Sequence, residues 1–432
     1  MRFTRPWLIT LMRNPGNNPP CDLSGILFSK TGIIIDMKIR IKNLLAGLAL
    51  AVLIQGCAAH RPQLKRNELS FQHYIAAQTH VEQEDFKAAI REFKKAESYA
   101  PDEASIQYAL SRAYFRLGQL GKGQYHLKKA LKLDPENTDY LLLAGEYYLH
   151  TDNFTEATAM CKRVLELDPD NSEAYFGLAM TAAYSSDYLK SVAYLKKLIS
   201  KEPDQVSHYL MLGKMLMVAQ KADEAAAAFK TAVELEPNRP EILYQLAIAY
   251  RIQGEIDQAT TALKKVIIAS PTFAHAYEML AQIYIDQRYF VEASSYYEKA
   301  LKLNPDSPHI KNNLAWSYLE AGQNLDQAIQ LAAESVELMP IAAHLDTLGW
   351  GYFLKEDYPQ AEKYLEQALI QAKKDANNET LSVICLHQAL FWKKNGNQTR
   401  SHELLQEAVK LDPNNLEAQE QLKSWESNQP KP

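Results

Sequence analysis

Several short stretches of this 432-residue chain carry residue types that could do chemistry, but none has the spacing that chemistry requires. A phosphate loop needs its glycines and lysine at a fixed register, after a strand and at the mouth of a helix. The stretch GQLGKGQ at 118–124 has glycines and Lys122 at other spacings, between two helix-like segments. It therefore reads as a helix–helix turn. Zinc sites bring histidines and cysteines together at short intervals, whereas His73 and His80 are seven apart among eleven scattered histidines and read as surface residues. Carboxylates crowd VEQED and EKYLEQ, but acid–base work needs a pocket around the pair, and these runs read as solvated faces. No H-E-x-x-H, C-x-x-C, G-x-S-x-G or Walker-type run occurs. The expectation is no catalytic residue, no metal, no cofactor and no enzyme.

Of four cysteines, Cys21 and Cys57 lie in or beside the N-terminal segment, leaving Cys161 and Cys385 in the body. Two distant cysteines form neither a disulfide framework nor a zinc site. Both fall at core-facing places of the repeat described next and read as small buried hydrophobes.

What can still act is surface, and the repeat sets the surface. Pro101, Pro135, Pro169, Pro203, Pro237, Pro271 and Pro305 recur every 34 residues, in phrases such as ALKLDPEN, VLELDPDN and ALKLNPDS, with AVKLDPNN later around Pro413. In a frame starting at Ser70, each unit reads as two amphipathic helices joined by a polar turn and closed by proline, which cannot continue a helix interior. Small residues recur in the first helix (Gly145, Ala179, Gly213, Ala247, Ala281, Ala315) and in the second (Ala89, Ala157, Ala225, Ala259, Ala293). Helix axes approach to the near end of 8–10 Å only across such small side chains. The second unit carries Gly123 where alanine is usual, the eighth has an extra residue in its turn (AGQNLDQA), and the ninth lacks its proline and adds six residues in IQAKKDANNETL. A longer helix or loop is expected there. After Pro413, Ala418, Leu422 and Trp425 share one face of a capping helix.

A 34-residue helix–turn–helix with this signature resembles the tetratricopeptide repeat, most fully in YLLLAGEYYLHTDNFTEATAMCKRVLELDP and AYEMLAQIYIDQRYFVEASSYYEKALKLNP. The expected fold is all-α, an α–α superhelix of about ten repeats over 70–413, with a capping helix and tail at 414–432. The resemblance implies that first helices line a concave groove for proteins or peptides. The fifth, ninth and twelfth places of the frame then supply Tyr74, Tyr108, Arg112, Phe115, Phe176, Lys214, Tyr244, Arg251, Trp316, Trp350 and Phe353. Aromatics and arginine are what binding surfaces favour; packing against the next repeat is the competing role. The lysine and asparagine set by which chaperone-linked repeats clamp a C-terminal carboxylate is absent.

The N-terminal segment carries another signal. Lys38, Arg40 and Lys42 precede an eleven-residue apolar run at 44–54, too short for the roughly 20 residues that span a bilayer. Basic flank, short apolar core and small-residue exit are the grammar of a secretory signal peptide. The exit LIQGC resembles the lipobox of bacterial lipoproteins, which implies a signal peptide at 37–56, removed so that a lipidated (palmitate-bearing) Cys57 becomes the first residue. Residues 1–36 then read as an upstream extension ahead of a start at Met37, and 57–69 as a linker. Ala58 in place of Asp points, by the same resemblance, to the outer membrane facing the periplasm; inner-membrane anchoring, or a cytoplasmic protein with the signal unused, are the alternatives.

The body beyond residue 56 holds 40 basic and 50 acidic residues. That balance argues against a nucleic-acid partner, and nothing points to a small-molecule substrate. The expected function is a lipid-anchored scaffold for protein–protein interactions in envelope assembly or export (pilus, exopolysaccharide or peptidoglycan machinery). The alternatives are a regulatory arm recruiting an envelope enzyme, or a cytoplasmic adaptor.

Overall fold

The computed structural model describes residues 61–375 and 377–427, and the 21 regular elements among them are all helices. The segment before residue 61, with the expected signal peptide and the expected lipidation at Cys57, lies outside the described residues. Internal packing divides the chain into two units, 1–135 and 136–432.

In the first unit, α1 (Arg61–Glu82) packs on α2 (Phe86–Tyr99) and α3 (Ala104–Arg116) on α4 (Leu120–Leu133). These are repeats one and two. The second unit continues with α5 (Thr138–His150) and α6 (Phe154–Leu167), α7 (Ser172–Tyr184) and α8 (Tyr188–Lys201), then α9 (Val206–Val218) and α10 (Ala222–Leu235), which are repeats three to five. Repeats six to eight are α11 (Pro240–Gln253) with α12 (Ile256–Ala269), α13 (Ala274–Asp286) with α14 (Phe290–Leu303), and α15 (Pro308–Glu320) with α16 (Leu325–Leu338). Repeat nine is α17 (Ala342–Leu354) with α18 (Tyr358–Asp375), repeat ten is α19 (Asn378–Lys394) with α20 (Gln398–Leu411), and α21 (Leu416–Ser427) follows. Within each unit, every helix packs on the next one in sequence. The all-α helical-repeat class is therefore what the described residues form.

The ten hairpin turns share one backbone device. A residue in the left-handed region recurs at Glu84, Gly118, Asp152, Ser186, Gln220, Gly254, Arg288, Gly322 and Glu356, 34 apart throughout, and then at Gly396 after an interval of 40. The next residue's N–H returns to a carbonyl five positions back, as in Asn153 to Tyr148 (2.8 Å), Asp187 to Ala182 (2.8 Å) and Asp357 to Tyr352 (2.9 Å). That bond satisfies an orphan carbonyl at the helix end. Six of the ten residues are not glycine, and each bears roughly 1–2 kcal/mol of left-handed strain against the packing of the hairpin it closes.

The irregular repeats resolve simply. In repeat eight the extra residue is Asn324, itself left-handed at φ 51°, and it N-caps α16 in place. The connection from α16 to α17 is one residue shorter than the inter-repeat connections before it in this unit, so the frame recovers and Gly349 stands 34 after Ala315. The six added residues after repeat nine go into helix: α18 has 18 residues and α19 has 17, where neighbouring repeats have 14 and 13. Asn377 stops the run and caps α19, its side chain accepting from Thr380 N at 3.1 Å. At the other end, α1 starts at Arg61, so 61–69, read from sequence as linker, is helical. The run QLKRNEL holds neither glycine nor proline to stop it.

The core follows the small-residue rule. Ala89, Ala157, Ala225, Ala259 and Ala293 are fully buried, as are Ala179, Ala247, Ala281 and Ala315 in the first helices. A Cβ on Gly349 would stand 2.9 Å from the backbone nitrogen of Leu365, so only glycine admits that helix crossing. Cys161 and Cys385 are buried free thiols, pushed up by burial to pKa values of about 11 and about 12. Neither is a reactive thiolate. In α21, Ala418 is buried, Leu422 joins the core of repeats nine and ten, and Trp425 stacks on His402 at 3.7 Å.

Candidate binding groove

In the first unit the expected groove residues turn largely to packing. Tyr74 tilts against Phe93 with ring centroids 5.4 Å apart. Phe115 lies over α4, where a Cβ on Gly123 would stand 2.3 Å from its ring. Gly123 is thus the space into which Phe115 packs, which offsets the weaker helix propensity of that position. Arg112 is exposed, its guanidinium 5.6 Å from the centre of the Tyr108 ring. Lys122 of the glycine-rich stretch sits 5.6 Å over Tyr114, and Gly118 supplies the turn. His73 is hydrogen-bonded to Glu92 at 2.7 Å, not paired with His80.

In the second unit Phe176 and Lys214 stand half-buried on α7 and α9, and Lys214 makes no ion pair among the described residues. From repeat six onward the inner faces become polar and connected. Arg251 reaches Asp286 at 3.4 Å, and Gln282 donates to Asp286 at 3.0 Å. Tyr297 donates to Gln282 at 3.2 Å, Asn313 donates to the Tyr297 hydroxyl at 3.3 Å, and Asn312 donates to Asn313 at 3.3 Å. The chain ends on Asn312 Oδ1, buried and without a donor. Near Arg251, Tyr244 packs on Phe273, and burial, with Glu278 adding, pushes its hydroxyl to about 12. Burial raises the Glu278 carboxyl above its ordinary value, with His275 opposing.

Repeats eight to ten build the densest constellation. His387, on α19, is hydrogen-bonded through Nδ1 to Asp346 Oδ2 of α17 at 2.7 Å, with both side chains only 7% exposed. Its imidazole stacks on Trp350 at 4.5 Å and lies 5.5 Å from Trp316, which reaches it from two repeats away. Trp350 stacks in turn on Phe353 at 5.0 Å. Burial works to lower the His387 pKa, but the Asp346 carboxylate overrides it, with Glu320 and Glu417 adding, and the group is held above its ordinary value. An imidazolium between indoles gains cation–π attraction as well. Glu320 on α15 is raised, first by burial and then by Glu417, while His387 opposes. Trp350 Nε1 is buried and closes no hydrogen bond of normal geometry; Glu320 is the acceptor it faces. Arg288, in the turn of repeat seven, comes within 3.9 Å of Glu417 on α21.

The structure thus joins Trp316, Trp350 and Phe353 in one cluster, joins Tyr244 and Arg251 to a second, and leaves Phe176 and Lys214 outside both. Sequence reasoning missed Asp346, His387, Glu320 and Glu278. Asp346 and Glu278 stand at the fifth place of their repeats, the same place as Asn312, so the frame alone marks them. His387 lies beyond the six-residue insertion, where the frame no longer assigns faces.

Family comparisons agree with this build. The cytochrome c-type biogenesis protein H TPR domain matches residues 195–309, and two tetratricopeptide-repeat families match 80–144 with 120–179, and 278–341. No curated protein matches the chain. Among solved structures, the APC/C hetero-tetramer Cut9–Hcn1 is 18% identical, with 83% of this chain and 84% of that one covered, at a TM-score of 0.45. A tetratricopeptide repeat protein from Parabacteroides merdae is 18% identical over 59% of this chain and 98% of that one, at 0.47. YrrB, a TPR protein with an unusual peptide-binding site, is 21% identical over 43% and 95%, at 0.38. The chain is a tetratricopeptide-repeat protein, a build that implies a protein-interaction scaffold.

Proposed function

We propose that this tetratricopeptide-repeat chain is a non-catalytic, lipid-anchored scaffold of the bacterial cell envelope that binds protein segments on the inner face of repeats six to ten. The observation that carries the binding site is the Trp316–His387–Trp350–Phe353 stack. It gathers buried and half-buried rings beside the Asp346 Oδ1 acceptor, which has no donor among the described residues. Aromatic surface ringed by fixed polar groups gives both affinity and register.

The anchor rests on the basic flank, the eleven-residue apolar run and the LIQGC exit. More than one acyl chain is needed for stable anchoring, which a lipoprotein cysteine provides. With 61–69 helical, the path from Cys57 to Ser70 reaches roughly 30 Å, so repeat one would work near the lipid surface. The match to the TPR domain of a cytochrome c-type biogenesis protein favours an assembly scaffold over a regulatory arm. The outer membrane, facing the periplasm, remains the proposed location.

Crosslinking and pull-down of the anchored protein from its own envelope tests the scaffold. A Trp316→Ala, Phe353→Ala variant should lose its crosslinked partner while staying folded by circular dichroism at the assay temperature; a folded variant that keeps its partner would make the stack mere packing. Mass spectrometry of the mature N-terminus should find an acylated Cys57, and an unprocessed chain would point to the cytoplasmic adaptor.

A further inference from the structure

The inner face of repeats eight and nine has more acceptors than donors. Asn312 and Asp346 are 7% and 5% exposed, occupy the same fifth place on consecutive first helices, and each keeps a buried oxygen (Oδ1) without a hydrogen bond. Buried acceptors in native proteins nearly always find a donor. Around Asp346, the carboxylates of Asp346, Glu320 and Glu417 act on one imidazole, His387, and Arg288 comes no nearer than 3.9 Å to Glu417, with both side chains more than half exposed. The lysines of the same region are engaged elsewhere, Lys311 with Glu334 and Lys355 with Asp326, each at 2.6 Å. No group of three or more metal-ligating residues comes together among the described residues, so an organic cation fits this excess better than a metal ion.

Building on the groove reading above, we propose that the inner face of repeats eight and nine seats the basic side chain of an extended partner segment. Its cation lies against the partly buried Glu320 carboxylate and over the partly buried indole of Trp316, one helical turn earlier on α15, on the face that also carries Asn312 and, from α17, Asp346. Arginine suits this seat better than lysine, because its planar fork donates to several acceptors and stacks on an indole at once. Charge complementarity supports the choice. An acidic segment would add negative charge to a face where Asp346, Glu320 and Glu417 outnumber His387 and Arg288, and a neutral one would leave that excess unanswered.

The test uses the purified full chain and four nonapeptide libraries, identical except for Arg, Lys, Glu or Leu fixed at the centre. The Arg library should be retained about fivefold over the Glu and Leu libraries, with Lys between. Raising salt from about 50 to about 300 mM should weaken that retention. Glu320→Gln, and separately Trp316→Phe, should each erase most of the arginine preference while leaving circular dichroism unchanged. Glu or Leu libraries held as well as Arg, or a preference that survives both variants, would overturn the basic seat and leave the groove standing. Retention of none of the four libraries would overturn the groove reading, and the seat with it.

Discussion

Two histidine–carboxylate pairs in this chain have the same length and different surroundings. In the first unit His73 meets Glu92 at 2.7 Å with the side chains 26% and 20% exposed, and Lys95 shares the carboxylate at 2.8 Å. In the second, His387 meets Asp346 at 2.7 Å with both 7% exposed, between two indoles and with Asp346 Oδ1 left over. Distance alone would rank them equal. Burial separates them, because water screens the first pair and cannot replace a missing partner in the second.

The sharpest way to break the comparison is to delete the carboxylates. Asp346→Ala strands a buried imidazole and should cost roughly 3–5 kcal/mol. Tryptophan fluorescence reads it selectively, because Trp316, Trp350, Trp392 and Trp425 all lie in the second unit and the fifth, Trp7, lies outside the described residues. A loss below 1 kcal/mol on urea unfolding would mean that the pair is solvated in practice.

Glycine crossings sharpen the same contrast. At Gly349 a Cβ would strike the Leu365 backbone nitrogen at 2.9 Å, whereas at Gly123 it would strike only the Phe115 ring, which can turn away. Gly349→Ala should destabilise by about 1–3 kcal/mol. Gly123→Ala should fall well short of that, since better helix propensity returns up to ~1 kcal/mol. Equal melting shifts for the two would sink the distinction between backbone and side-chain clashes.

The pH dependence tests the charge on His387. Its folded pKa lies above the ordinary histidine value, so its contribution is complete below about pH 6.5, the unfolded value, and is lost as pH rises through the folded one. His208, His309 and His344 shift down through burial and act in the opposite sense. The clean quantity is therefore the stability of wild type minus His387→Gln, in which they cancel. That difference should be greatest at acid pH and shrink above neutrality; a difference that grows with pH would overturn the imidazolium assignment.

Much of this was legible from the sequence, for a physical reason. Proline at 34-residue spacing and alanine at the crossings are forced by backbone and volume, so Pro101 to Pro305 fixed the hairpins and Ala157 or Ala281 their contact faces. The turns were less legible, since residues such as Gln220 and Arg288 hold left-handed conformations that their side chains do not advertise. That Trp316 and Trp350 stand at matching places was legible where the frame held, and their shared contact with His387, six inserted residues further on, was not. Phe115 was assigned its surface without Gly123, whose missing Cβ lets the ring fold inward.

The smallest expected effect completes the comparison from the exposed side. Glu92→Ala removes the contacts to His73 and Lys95 together. Both histidine and lysine then return to water at little cost, and exposed pairs of this kind contribute about 0–1 kcal/mol. The two contacts hold the Glu92 carboxyl below its ordinary range, led by the Lys95 hydrogen bond, and salt should weaken what they contribute. Thermal unfolding of the first unit, followed by tyrosine signals with the tryptophans silent, should therefore move by only a few degrees between wild type and Glu92→Ala. That shift should vanish in about 1 M salt, whereas the Asp346→Ala effect, shielded from solvent, should persist there. A salt-insensitive loss at Glu92 as large as the one at Asp346 would show that burial does not separate the two pairs.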